Sequence, residues 1–408
     1  MRGGLAVLDQ ALFAGANLAL NVLLARSLDA DDYGAFALVY SIYQLIAAVY
    51  TALLLEPMAV FGAGKYHDRR RDYLGLLLRG HFAVTFAMAG MLAIAAIVAQ
   101  AAGAGVARDG AVVLAMATPL LLSAWLTRRA FYLELRPGMA VAGNAIYFVA
   151  MLGAAVLLLR YGWLSPTTAI AAMALASMLT ALVHVVRLRP RIRAVAVPWR
   201  AALDDHWQYG RWTLASAVAV WFPLNVYYYV LPASSGLEAA GALRALLNVA
   251  NPGLHSLAAL TLVLTPAFVR AREVGGDPSV DRMVLRASEI CFAGALAFLV
   301  PLAMFHADIL RMLYGTKYAA SVWPVMLAGL LPLAASVTTT VGSALRAIER
   351  PRQVFLSYAV FTLAAALIGV PLSSRWGVTG ALSGMLLSYL ALAMAMVFFY
   401  RLARRERS

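Results

Sequence analysis

Apolar residues in this 408-residue chain come in long uninterrupted runs, not in the alternation or narrow stripes of a soluble fold. Twelve such runs stand at roughly 5–25, 35–60, 74–100, 112–133, 139–159, 166–186, 211–233, 241–268, 287–306, 322–341, 353–372 and 379–400. Each is long enough, as a helix, to cross about 30 Å of hydrocarbon. The pattern predicts an all-α polytopic membrane protein of about twelve transmembrane helices. Residues 1–26 carry Asp9, Gln10, Asn17 and Asn21 inside their apolar stretch and only Arg2 ahead of it. They read as the first span and not as a cleaved leader.

Composition agrees with the pattern. Hydrophobic residues make up 63% of the chain and charged ones 13%, against about 25% charged in a soluble domain. The net charge of +14 would suggest nucleic acid in a soluble protein, but its distribution gives another reason. With residue 1 in the cytoplasm, only Arg26, Arg108, Arg160, Arg311, Lys317 and Arg375 fall on the far side, and Arg244 falls within a span. All other basic residues lie in cytoplasmic segments. Positive charge on the inside sets both termini of a multi-pass membrane protein in the cytoplasm, in contact with anionic lipid and with no nucleic-acid partner. The single Cys291 excludes an intrachain disulfide.

The chain repeats itself. LELRPGMAVAGNAIYFVAMLGAAVLLLRYG has Arg136-Pro137 ahead of a span and Arg160-Tyr161-Gly162 behind it. AIERPRQVFLSYAVFTLAAALIGVPLSSRWG has Arg350-Pro351 and Arg375-Trp376-Gly377 at nearly the same spacing. A fainter pair joins Gly34 and Glu56-Pro57 to Gly241 and Thr265-Pro266. The expected organisation is a six-helix bundle at 1–186, a basic cytoplasmic linker at 187–210, a second bundle at 211–400 and a basic tail at 401–408. An even number of spans in each half makes the two parallel repeats, an arrangement that transporters use for alternating access.

Polar residues inside the spans are few and aligned. In GALRALLNVANPGLHSLAALTLVLTPAF, Arg244, Asn248, Asn251 and His255 fall on one narrow stripe at about 100° per residue, opposite Leu246, Val249, Ala250 and Leu257. Pro252 should loosen the helix beside them. For Arg244, snorkelling to the interface and lining a polar interior are both open. Gln10, Asn17 and Asn21 form a second stripe, with Arg26 at its outer end; interhelical hydrogen bonding and ligand contact are the two readings. Asp9 and Glu56 are the candidate carriers of a coupling proton, or the partners of arginines at the inner edge. Arg79 and His81 are expected to snorkel. Tyr227, Tyr228 and Tyr229 are expected in an interfacial belt, and Tyr43 and Tyr50 to line a cavity. No nucleotide loop, metal-ligand spacing or nucleophile–base pair is present, so neither enzymatic chemistry nor a cofactor is expected.

LARSLDADDYGAFALVYSIYQL, residues 24–45, resembles the start of the bacterial polysaccharide-biosynthesis flippases, the Wzx-like branch of the multidrug/oligosaccharidyl-lipid/polysaccharide (MOP) exporter superfamily. LYGTKYAASVWPVMLAGL, ALRAIERPRQ and RWGVTGALSGMLLSYL follow the same family's order in the second half. The resemblance implies two six-helix bundles around a central cavity walled by spans one, two, seven and eight. It also implies an undecaprenyl-diphosphate-linked glycan as substrate, with Arg244 and, less directly, Arg26 on the diphosphate, and polysaccharide polymerase or export proteins as partners. Two rivals remain at this stage. One is a multidrug/organic-cation antiporter of the same fold, kept open by Asp9. The other is a non-transporting component or polymerase of a polysaccharide-synthesis complex.

Overall fold

The computed structural model describes residues 2–188, 197–318 and 322–406. Arg189, Arg191 and Arg193 of the expected linker and Arg407 of the tail lie outside the described residues. Every regular element among those described is helical: α1 (Arg2–Ser27), α2 (Ala30–Tyr50), α3 (Glu56–Ala63), α4 (Arg70–Ala101), α5 (Gly105–Leu133), α6 (Pro137–Arg160) and α7 (Pro166–Leu188). There follow α8 (Trp199–Asn225), α9 (Tyr227–Ser235), α10 (Leu237–Tyr314), α11 (Val322–Ala347), α12 (Pro351–Ala364) and α13 (Val370–Arg405). π-helical turns at Thr51–Leu55 and Ala365–Gly369 join α2 to α3 and α12 to α13.

Ten helical stretches among the described residues are long and apolar enough to cross a membrane. Two of them are double. α10 breaks at Gly275 and Gly276, and the stretch Pro351–Arg405 breaks at Trp376 and Gly377. Counted as arms, the segments number twelve, as the apolar runs predict. Each break places a glycine in the left-handed region, Gly276 at φ 62° and Gly377 at φ 56°, where a Cβ would be strained.

The chain forms two compact units, Met1–Val218 and Ala219–Ser408. The internal repeat is visible in their backbones. Among the described residues the non-glycine ones at positive φ are Leu135 and Glu349, at 56° and 61°, and each stands two positions before its proline, Pro137 or Pro351. Both corners close alike: Leu135 N–H donates to Tyr132 O and Arg136 N–H to Phe131 O, at 3.0 and 2.9 Å. Glu349 N–H donates to Arg346 O and Arg350 N–H to Leu345 O, at 3.1 and 2.9 Å. These bonds satisfy the last helical carbonyls, and the proline then opens the next helix without an unused donor.

Within the first unit, Pro57 removes the N–H that would bond Leu53 O. The helix relaxes there into its π turn, and α8 supplies the missing donor: His206 Nδ1 lies 3.1 Å from Leu53 O, and Thr213 Oγ1 donates to Ala52 O at 2.9 Å. Tyr73 closes the other side of the ring, its hydroxyl 2.6 Å from His206 Nε2. Because a carbonyl only accepts, Nδ1 carries the hydrogen and Nε2 takes the tyrosine's. In the second unit the core is built by Phe268, Val284, Leu345, Ile348, Phe361, Leu392 and Met396. Outward faces remain apolar, as Met91, Ile94 and Ile97 on α4 illustrate, which suits a hydrocarbon surround.

Candidate functional site

The first arm of α10 carries Arg244, Asn248 and Asn251 on one face. Arg244 is 7% exposed and Asn248 3%; Asn251 is half-buried and His255, at the far end of the stripe, is exposed. Arg244 therefore does not snorkel into an open interface. Asn251 Nδ2 donates to Asn248 Oδ1 at 3.5 Å. The arm is closed by its own second half: Tyr314, the last residue of α10, donates its hydroxyl to Ala245 O at 2.9 Å. Tyr318 stands edge-on to Tyr314, ring centroids 5.4 Å apart. Burial and the Glu238 carboxylate push its hydroxyl up to about 12.

The periodicity of the stripe suggested a polar face opposite an apolar one. In the structure the apolar face is covered, with Leu246, Val249, Ala250 and Leu257 buried, and so is the first half of the polar one, while the stripe opens at Asn251 and His255. Arg244 and Asn248 thus sit in an enclosed stretch of helix, where a charged side chain is expensive unless neighbouring groups satisfy it.

On α1, Asn17 and Asn21 are hydrogen-bonded within the unit. Their Nδ2 groups donate to Phe13 O and Asn17 O, both at 2.8 Å. Their Oδ1 atoms accept from Tyr40 and Tyr33 of α2 at 3.3 and 3.5 Å. These amides tie the first two helices together. Arg26 is exposed at the end of α1.

Asp9 has the most elaborate surroundings of the predicted residues. Its wholly buried carboxylate lies 2.6 Å from Arg128 Nη2 and accepts from Arg128 Nε at 2.8 Å, Tyr132 Oη at 2.5 Å and Asn144 Nδ2 at 2.6 Å. Gln10 Oε1 takes a further bond from Arg128 at 3.1 Å. The node joins α1, α5 and α6. Glu56 is a looser case, 3.3 Å from Arg129 with both side chains about two-fifths exposed.

Several polar positions differ from the expectations of the sequence. His81 does not snorkel: it is buried, with Nδ1 2.8 Å from Tyr50 Oη and Nε2 3.0 Å from Pro119 O. Tyr227 and Tyr228 are buried inside the second unit, and only Tyr229 keeps a partly open, belt-like position. Tyr50 is committed to His81, and Tyr43 packs edge-on against Tyr40. An arginine partner for Asp9 and for Glu56 is one of the two expected readings, and Arg128 and Arg129 fill it; Tyr132, Asn144 and Tyr314 are partners that the sequence does not point to. The Arg128-Arg129 pair at the end of an apolar run was the one available signal.

No protein-family profile and no curated protein matches the sequence. Solved structures do resemble the fold. An inward-facing multidrug-resistance MATE-family transporter of the MOP superfamily aligns with a TM-score of 0.82 at 13% identity, over 98% of each chain. The outward-facing conformation of a MATE-family transporter gives 0.71 at 13% identity, over 98% of this chain and 94% of the other. A MOP-superfamily transporter from Pyrococcus furiosus gives 0.72 with the same identity and coverage, and its binding pocket is described as reversed in polarity, suggesting a different function. The chain has the MATE-like fold.

Proposed function

We propose that this protein is a membrane transporter working by alternating access, and that its cargo is a polyprenyl-diphosphate-linked oligosaccharide moved across the bacterial inner membrane. The fold supports the transporter class, since the similar structures include inward- and outward-facing transporters. One observation carries the cargo: the disposition of buried charge. Arg244 is buried beside Asn248 on α10, and the buried acids among the described residues are Asp9, which is paired with Arg128, and Asp72, in the first turn of α4. An organic cation needs an acid whose charge is not spent on an arginine. A diphosphate needs a permanently charged fork that donates two hydrogen bonds, which is what arginine offers. The Pyrococcus structure, with its pocket described as reversed in polarity, supports the idea that this fold accommodates a change of cargo charge.

On this reading both termini are cytoplasmic, the polyprenyl tail stays in lipid while the headgroup crosses, and a polysaccharide polymerase or export protein receives the product. The test is the leaflet location of lipid-linked oligosaccharide in cells depleted of the protein. Trapping on the cytoplasmic face, relieved by the wild type and not by a folded, inserted Arg244→Ala variant, is the expected result. Normal glycan without accumulation would overturn the cargo and return the antiporter reading.

A further inference from the structure

The break at Gly275 and Gly276 folds α10 into two arms, and between them lies a cleft of about 530 Å³. Its size falls in the range of about 300–1,000 Å³ typical of small-molecule sites. Leu260 and Leu264 line it from the first arm. Met283 and Ile290 face them from the second, with Arg282 and Arg286 in the same lining. On an α-helix positions 282, 283, 286 and 290 share one face, so the two arginines stand one turn apart along an apolar strip.

The charges are not accounted for by the neighbouring acids. Around the hinge, Asp277 is taken by Arg272 and Arg404, and Asp281 by Arg404 and Tyr400. Among the described residues no carboxylate lies within 4.0 Å of Arg282 or Arg286. Arg282 donates to Pro278 O and Ser279 Oγ at 3.5 and 3.3 Å. Both arginines are exposed. The side of the cleft is open hydrocarbon surface, with Ile290 71% and Leu260 39% exposed.

A polar ligand would gain nothing from the apolar walls, and an apolar one nothing from the arginines. We propose that the α10 cleft holds one anionic phospholipid of the surrounding bilayer, a fatty-acyl chain between the arms and the phosphate on Arg282 and Arg286. Basic pockets between membrane helices suit anionic headgroups on physical grounds, and an acyl chain enters laterally without leaving hydrocarbon. The lipid would brace the hinge between the arms. This site is separate from the Arg244 stripe and does not depend on what the protein transports.

The test is binding of phosphatidylglycerol against phosphatidylcholine to the delipidated, full-length protein, read by native mass spectrometry. Phosphatidylglycerol is expected to bind preferentially. Arg282→Gln with Arg286→Gln should weaken it about tenfold or more, while Arg352→Gln with Arg401→Gln, the same charge removed elsewhere on the arginine-rich end, should not. Ile290→Trp should also weaken binding by obstructing the cleft with both charges retained. Equal affinity for the two lipids would overturn the proposal, as would unchanged phosphatidylglycerol binding in the double arginine variant. Loss in that variant with no effect of Ile290→Trp would reduce the contact to surface attraction and overturn the cleft. Thermal unfolding of each variant separates loss of lipid from loss of fold, and none of these readouts involves transport.

Discussion

Asp9 and Arg128 meet at 2.6 Å across α1 and α5, the carboxylate fully buried and the guanidinium side chain 24% exposed. The two partners are therefore not equivalent. Removing one member of a buried pair costs about 3–5 kcal/mol when the other is left stranded. Without Arg128, the fully buried Asp9 carboxylate is left with Tyr132 and Asn144 as donors and no countercharge. Without the aspartate's charge, Arg128 can turn its exposed end outward. Arg128→Met should thus lower stability by about 3–5 kcal/mol, and Asp9→Asn by less than about half of that. The double variant should recover most of the arginine's loss. Unfolding of the three variants in detergent measures this, and equal losses from the two single changes would refute the asymmetry.

His81 is held between two groups of opposite demand. Pro119 O only accepts, so Nε2 carries the hydrogen, and Nδ1 takes the Tyr50 hydroxyl at 2.8 Å. Nitrogen-15 chemical shifts of labelled histidine should report the Nε2–H tautomer. Tyr50→Phe should cost about 1–3 kcal/mol, since it leaves a buried acceptor unmet. The opposite tautomer in the wild type would be inconsistent with this arrangement.

These two residues mark how far the sequence can be read. Run lengths give the spans, and Arg136-Pro137 with Arg350-Pro351 gives the repeat, because span length and proline chemistry are local. Partners are not local. Arg128 lies 119 residues from Asp9, and Tyr50 sits one helix away from the His81 that was expected to snorkel. The period of α10 correctly aligns Arg244 with Asn248, yet it says nothing about what covers the opposite face, which is buried too. Left-handed Leu135 and Glu349 have no signature at all, since neither is the glycine or asparagine that such a position favours.

Gly384 gives a prediction about packing. A Cβ there would stand 2.5 Å from Gly369 Cα, so α13 crosses the π turn after α12 with backbone nearly touching backbone. Gly380 and Gly384 form the small-xxx-small spacing that permits such approach in membranes. Neither backbone can yield as a flexible side chain would. Gly384→Val should cost about 1–3 kcal/mol or more by overpacking, whereas Gly15→Val, where nothing lies within 4 Å, should leave this contact intact. Comparable melting of the two variants would argue against the close crossing.

The chain has two lysines, Lys65 and Lys317, which makes one ion pair easy to follow. Lys65 Nζ lies 2.9 and 2.7 Å from the two Asp205 oxygens, and Tyr66 Oη donates to the same carboxylate at 2.6 Å. The bond to Asp205 holds the Lys65 ammonium above its ordinary value. A raised value means that the tie is complete below the usual lysine range, about 10.4, and is lost only as pH climbs through the higher folded value. Acylation of Lys65, which needs the free amine, should accordingly begin at higher pH than in a model peptide. Asp205→Asn should bring its onset back down, and it should loosen the first turns of α8 only slightly, because an exposed pair contributes little. Peptide mapping after pulse labelling across alkaline pH reads Lys65 separately from Lys317. An onset for Lys65 unmoved by Asp205→Asn would show that the carboxylate does not hold it.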